Sequence, residues 1–155
     1  MIGERWSLLI LRDAFMGVRR FRDFLVHLDI PRAVLTARLN SLVAAGVLGK
    51  QPYQEHPVRY EYTLTAAGLE LWPVVHGLAS WGSRHASPAG PSRLYLHAAC
   101  GTELDPAGAC PRCGGRIAPG EVEIRTGPGA QFLREDPVSI ALRDPHRLLT
   151  PITVN

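Results

Sequence analysis

The chain has 155 residues, 46% of them hydrophobic and 20% charged, which is enough apolar material for a packed core and excludes a disordered chain. Its longest aliphatic run, residues 8–11, is far short of the roughly 20 apolar residues that cross a bilayer. No charged segment followed by an apolar run opens the chain, so a soluble cytoplasmic protein without a membrane partner is the expectation. The net charge of +3 is unevenly placed. Residues 1–86 hold ten Arg and Lys against seven Asp and Glu, whereas residues 87–155 hold seven of each. The basic excess therefore sits in the first half, where a polyanionic partner would bind.

Apolar spacing predicts three helices in succession. Residues 2–16 place Trp6, Leu9, Ile10 and Phe15 near helical spacing, with Gly17 as a stop. The helical pattern is already under way at Ile2, as expected of a stretch taken from a longer chain. Residues 20–28 place Phe21, Phe24, Leu25 and Leu28 on one face. After a turn at Pro31, residues 32–45 carry Leu35, Leu39, Leu42 and Val43 on one face and end at Gly46. The period then falls from 3.6 to 2, and two extended segments around 47–53 and 60–64 flank a polar tip at 54–59. Thr65 caps a further helix expected to run to about His85, loosened by Pro73 and Gly77.

Helix, short helix, turn, helix and hairpin in that order predict an α+β fold, a winged helix-turn-helix with a long dimerisation helix. The leucines of residues 35–43 would hold the third helix to the core, freeing its other flank for the major groove. Arg32, Thr36, Arg38 and Asn40 are its candidate DNA contacts, although Arg38 is equally suited to a structural ion pair. Arg19 and Arg20 suit phosphates, and Arg59 at the hairpin tip suits a narrow minor groove.

Specific strings carry a family resemblance. These are IGERWSLLILR at 2–12, RF at 20–21, VLTARL at 34–39, AGVL at 45–48, RYEYTLT at 59–65, and Gly68. The chain resembles the HxlR-type transcription regulators over roughly residues 1–85. The resemblance implies a homodimer built from the first helix and the long helix after the wing, acting as repressor or activator on double-stranded DNA. Trp6, Trp72, Val75, Leu78 and Trp81 are the interface residues that fit it. Many members carry a redox-sensing cysteine just before the first helix. This chain has none there, so that role is not carried over.

Residues 87–92 read as a linker and residues 93–126 as a small β module with short extended runs at 94–96 and 122–124. All three cysteines lie in that module. His97, Cys100, Cys110 and Cys113 have the paired spacing of a closed zinc site, with a glycine after each pair. This resembles a zinc ribbon in which histidine replaces the first cysteine. A ribbon of about 35 residues lacks a self-sufficient core, so a structural Zn(2+) is physically motivated. Residues 127–155 are punctuated by glycine and proline and read as a C-terminal tail, wrapped on a partner surface or mobile in part.

Catalysis is not expected: the common nucleophile and phosphate-binding motifs are missing, and four protein ligands leave a metal no open position. The competing readings are a winged-helix adaptor that never touches DNA and a metal-dependent enzyme. His76, Trp72 and Trp81 could serve a small-molecule effector, although packing is the simpler role for each.

Overall fold

The computed structural model describes residues 2–152 and Val154. Three helices form the centre: α1 (Arg5–Phe15), α2 (Phe21–Leu28) and α3 (Arg32–Ala44). Helix α1 starts where the Glu4 carboxylate accepts the Ser7 N–H at 3.3 Å, and it stops at Gly17, whose φ is +93°. Helix α2 ends on Asp29 in the left-handed region, and Pro31 then caps α3. Leu35, Leu39 and Leu42 of α3 are fully buried against α1 and α2, so the leucine stripe is the face turned inward.

The wing is an antiparallel pair, β1 (Leu48–Glu55) and β2 (Val58–Leu64), with an irregularity between Pro52 and Gln54. Its root is buried at Leu48 and Tyr62, whereas its tip is exposed. The wing is tied to the core by the Tyr62 N–H, which donates to the Arg19 carbonyl at 2.8 Å. Thr65 caps the next helix by accepting the Gly68 N–H at 3.1 Å. The single helix expected as far as His85 is instead two: α4 (Ala66–Leu69) and α5 (Trp72–His85). Pro73 has no N–H for the Leu69 carbonyl, so the helix breaks and restarts with proline in its first turn.

The C-terminal half forms a second sheet, β3 (Arg93–His97), β4 (Val122–Thr126) and β5 (His146–Arg147), antiparallel in that order. It does not stand apart from the winged helix. Tyr95, Val122 and Ile124 belong to the same apolar core as Phe15, Trp72 and Leu39. Residues 87–92 are correspondingly no loose tether. The Gly127 N–H bonds the Ser92 carbonyl at 3.0 Å, and the Gly129 N–H bonds Pro91 at 3.0 Å.

Residues 127–152, read above as part of a tail that wraps a partner surface or is mobile in part, pack on the chain's own core, whereas residues 153 and 155 lie outside the described residues. Asp136 caps a short helix, α6 (Pro137–Ala141), which packs on α2. Leu148 plugs the core, the Leu149 N–H donates to the Phe15 carbonyl at 2.8 Å, and the Ile152 N–H donates to Gly17 at 3.0 Å. The segment is held by backbone hydrogen bonds, by side-chain bonds such as that of His27 to Asp136 and by a few apolar plugs, which leave no periodic signature in the sequence.

Two predictions follow from how the chain end docks. A Cβ on Gly17 would run into the Thr150 carbonyl while the backbone stays at positive φ. Gly17→Ala should therefore cost more than about 1 kcal/mol and lower Tm by about 3 °C or more in thermal denaturation. The second concerns Asp136. Burial opposes ionisation of its carboxyl, but hydrogen bonds from Ser139 and Arg134 and the nearby His27 outweigh that and draw it down to about 2. A depressed carboxylate contributes stability that is present above its ordinary pKa of about 4 and lost as pH falls toward 2. The protection factors of the α6 amides should fall across that window, and Asp136→Asn should remove most of that fall.

Candidate nucleic-acid interface and metal centre

With Leu35, Leu39 and Leu42 turned inward, the outward face of α3 presents Arg32, Thr36 and Asn40, all exposed and one helical turn apart. Ala33, Ala37 and Ala44 lie beside them on the exposed surface, so no bulky side chain holds this face off a partner. The wing stands next to the start of α3. Between them lies a groove of about 540 Å³ lined by Phe21, Arg22, Arg32, Tyr53, Arg59 and Tyr60. Arg22 and Arg59 are exposed and make no ion pair among the described residues. Arg32 lies over the Phe21 ring at 5.3 Å.

The remaining candidate arginines are committed within the chain. Arg19 donates to the Leu149 carbonyl at 3.1 Å and thereby holds the C-terminal segment. Arg20 pairs with Glu61 at 3.2 Å and lies over Tyr53 at 4.6 Å, bracing the wing. Arg38 faces Glu4 at 3.7 Å, the ion-pair alternative rather than a free cation. Two basic residues, Arg22 in the groove and Lys50 beside it on the wing, escaped the sequence pattern. Arg22 is the last arginine of the 19–22 run, and Lys50 on β1 lies over Tyr60 at 4.1 Å. Lys50 is the single basic residue of β1, so no spacing pattern within the strand singles it out.

The five candidate interface residues divide. Trp72 (4% exposed) and Val75 (7%) are spent in the chain's own core, so the expectation that they face a second copy is corrected. An apolar helix does not reveal which core it serves. Trp6 is half-buried under Arg5, whose guanidinium lies 4.7 Å from its ring. Leu78 (52%) and Trp81 (58%) are exposed, and with Val74 (49%) they form an apolar ridge along α5.

The four metal-ligand candidates do converge. One donor atom from each of His97, Cys100, Cys110 and Cys113 lies within 4.8 Å of every other. His97 Nδ1 is 3.4 Å from Cys100 Sγ, which is 3.5 Å from Cys110 Sγ. Donors around a tetrahedral zinc stand roughly 3.5–3.8 Å apart, given zinc–sulfur bonds of about 2.3 Å, so the set has the size and chemistry of a metal site. The same turn is used twice. Gly101 donates to the His97 carbonyl and Gly114 to the Cys110 carbonyl, both at 2.8 Å and both with φ near +70°. In the second turn the Cys113 N–H points at Cys110 Sγ at 3.4 Å. Hydrogen bonding with Thr102 draws the Cys100 thiol down to about 6, while the bond to Cys100 pushes Cys113 up to about 11. Crowding lets one thiolate form and resists the next, a conflict that a dication removes.

Comparison with known proteins agrees with the winged-helix geometry. The profile of HxlR-like helix-turn-helix proteins matches residues 1–90. The chain belongs to the HxlR-like helix-turn-helix family. It is 43% identical over 130 residues to Rv3095 of Mycobacterium tuberculosis, an uncharacterised HTH-type transcriptional regulator, covering 83% of this chain and 82% of that one. Mb3122 of Mycobacterium bovis matches to the same extent. Among solved structures, PA1374 of Pseudomonas aeruginosa, assigned as a transcription factor, superposes with a TM-score of 0.55 at 38% identity, covering 84% of this chain and 89% of its own. These matches are too long to be confined to the winged helix, so these relatives extend beyond the family's common part. The protein is a DNA-binding transcription regulator of the winged-helix type. No described helix is long and apolar enough to cross a membrane.

Proposed function

We propose that the protein works as a homodimeric repressor on a pseudo-palindromic operator, with α3 in the major groove and the wing tip in the flanking minor groove. The observation that carries this reading is the sorting of α3 into an inward leucine face and an exposed row of Arg32, Thr36 and Asn40 beside the free cations Arg22 and Arg59. Asn40 and Thr36 read base edges, Arg32 reaches a base edge or a phosphate, and Arg59 enters the minor groove. Arg19, Arg20 and Arg38 act indirectly by fixing the chain end, the wing and the start of α1. The ridge of Val74, Leu78 and Trp81, together with Trp6, supplies the apolar face for a second copy. Two-fold symmetry then repeats the half-site one or two helical turns away. Zinc held by His97, Cys100, Cys110 and Cys113 closes the module as a structural ion with no open position for substrate.

The DNA reading is tested by titrating operator fragments at several salt concentrations. Arg59→Ala should weaken binding to all sequences and lower the salt slope by about 1, while the dimer stays intact in sedimentation. Asn40→Ala should cost about 1–3 kcal/mol on the operator and almost nothing on random DNA. Salt-independent binding by the parent protein would instead favour an adaptor.

The metal reading is tested by elemental analysis of protein purified without chelator. One zinc per chain is expected, and Cys110→Ser should release it and lower Tm, because the thiolate it removes is buried. A metal-free protein with unchanged Tm would end that assignment.

A further inference from the structure

A cavity of about 520 Å³ opens between α1, α5 and residues 130–134, away from the DNA groove and the cysteine cluster. Met16, Leu78, Tyr95, Phe132 and Leu142 give it apolar walls. Arg12, Arg93 and Arg134 also line it. Two of these guanidinium groups are neutralised: Arg12 by Asp13 at 2.7 Å and Arg134 by Asp136 at 3.1 Å. Arg93 is not. Its Nη1 donates to the Leu142 carbonyl, and it has no carboxylate partner among the described residues. Glu103 shares an adjoining recess with Arg93 but forms no ion pair with it. Burial lowers the Arg93 pKa from its ordinary value, the neighbouring Tyr95 partly opposes this, and the like charge of Arg12 adds a smaller lowering. A partly desolvated cation without a counter-ion is costly unless something supplies the charge.

From the unpaired Arg93 and its apolar surroundings we infer that this cavity binds a small organic carboxylate, with the carboxylate on the Arg93 guanidinium and an aromatic or aliphatic body between Leu78, Tyr95 and Phe132. One uncompensated cation asks for a monoanion, and the volume lies in the range of about 300–1,000 Å³ usual for small-molecule sites. Guanidinium is also the group best matched to a planar carboxylate. The site stands next to the regulatory machinery. Leu78 belongs both to the cavity wall and to the exposed α5 ridge, and Arg12 sits on α1, which packs against α3. That an occupant would be an effector rests on the DNA-regulator reading above; the binding itself does not.

The test therefore contains no DNA. The full chain is titrated calorimetrically with benzoate, octanoate and 2-naphthoate, and with neutral 2-naphthamide as control. At least one carboxylate is expected to saturate one site per chain, with the naphthamide at least tenfold weaker than the naphthoate. Arg93→Met should lose at least tenfold in carboxylate affinity, and Arg93→Lys, which keeps the charge but not the planar fork, should fall between the parent and that variant. Because Arg93 also bonds Leu142, circular dichroism checks the fold of each variant. A second variant is independent of that bond. Gly82 lines the cavity on α5, and a Cβ there meets nothing within 4 Å, so Gly82→Leu should fold normally and fill the site. No saturable binding by any of the three carboxylates, equal binding of naphthoate and naphthamide, or binding that survives in Gly82→Leu would each overturn the inference.

Discussion

The indole of Trp72 is the joint on which both halves of the molecule close. It lies 5.3 Å from the Phe15 ring of α1, 5.3 Å from His76 of its own helix and 5.7 Å from Tyr95 of β3. His76 in turn bonds the Asp105 carbonyl at 2.8 Å, on the loop between the two halves of the cysteine cluster. Tilted and edge-on aromatic contacts of this kind are worth about 0.5–1.5 kcal/mol each beyond the area they bury. Their larger effect is geometric. Through Trp72 the helix that follows the wing, the first helix and the second sheet become one core.

From that joint the rest is constrained in sequence. With α1 fixed, the leucines of α3 have one place to go, and the opposite row of Arg32, Thr36 and Asn40 is forced outward. The arginines are sorted by the same logic. Those near the seams between elements, Arg19, Arg20 and Arg38, are consumed in holding the chain end, the wing and the start of α1. Those at the rim of the groove, Arg22 and Arg59, are exposed and make no ion pair among the described residues. A count of basic residues in the first half treats both groups alike, although their surroundings differ.

Much of this was legible in the residues. The leucine stripe, the glycine stops and the alternation of the wing define their elements to within three residues, because each depends on short-range spacing. The His97 and cysteine spacing likewise encodes a knuckle, since the turn that brings two donors together is only four residues long. What was not legible depends on distant partners. Glu61 lies 41 positions from Arg20 and Leu149 lies 130 from Arg19, and no local pattern announces either pairing. Trp72 and Val75 look like interface residues because an apolar helix face reads the same whether a second copy or a second sheet covers it. The docking of residues 127–152 was hidden for a related reason: its bonds, main-chain ones such as Leu149 to Phe15 and side-chain ones such as Arg19 to Leu149 and His27 to Asp136, join positions far apart in the chain.

The Leu148 plug carries a consequence for how the molecule divides. The family's shared portion ends near residue 90, yet the surface it would present there includes Phe15, Met16 and Trp72, which the later segment covers. Cutting at that boundary would not release a reading head from an accessory; it would open the hydrophobic interior along its length. In this chain the later segment is a supporting wall of the winged helix and not a detachable accessory.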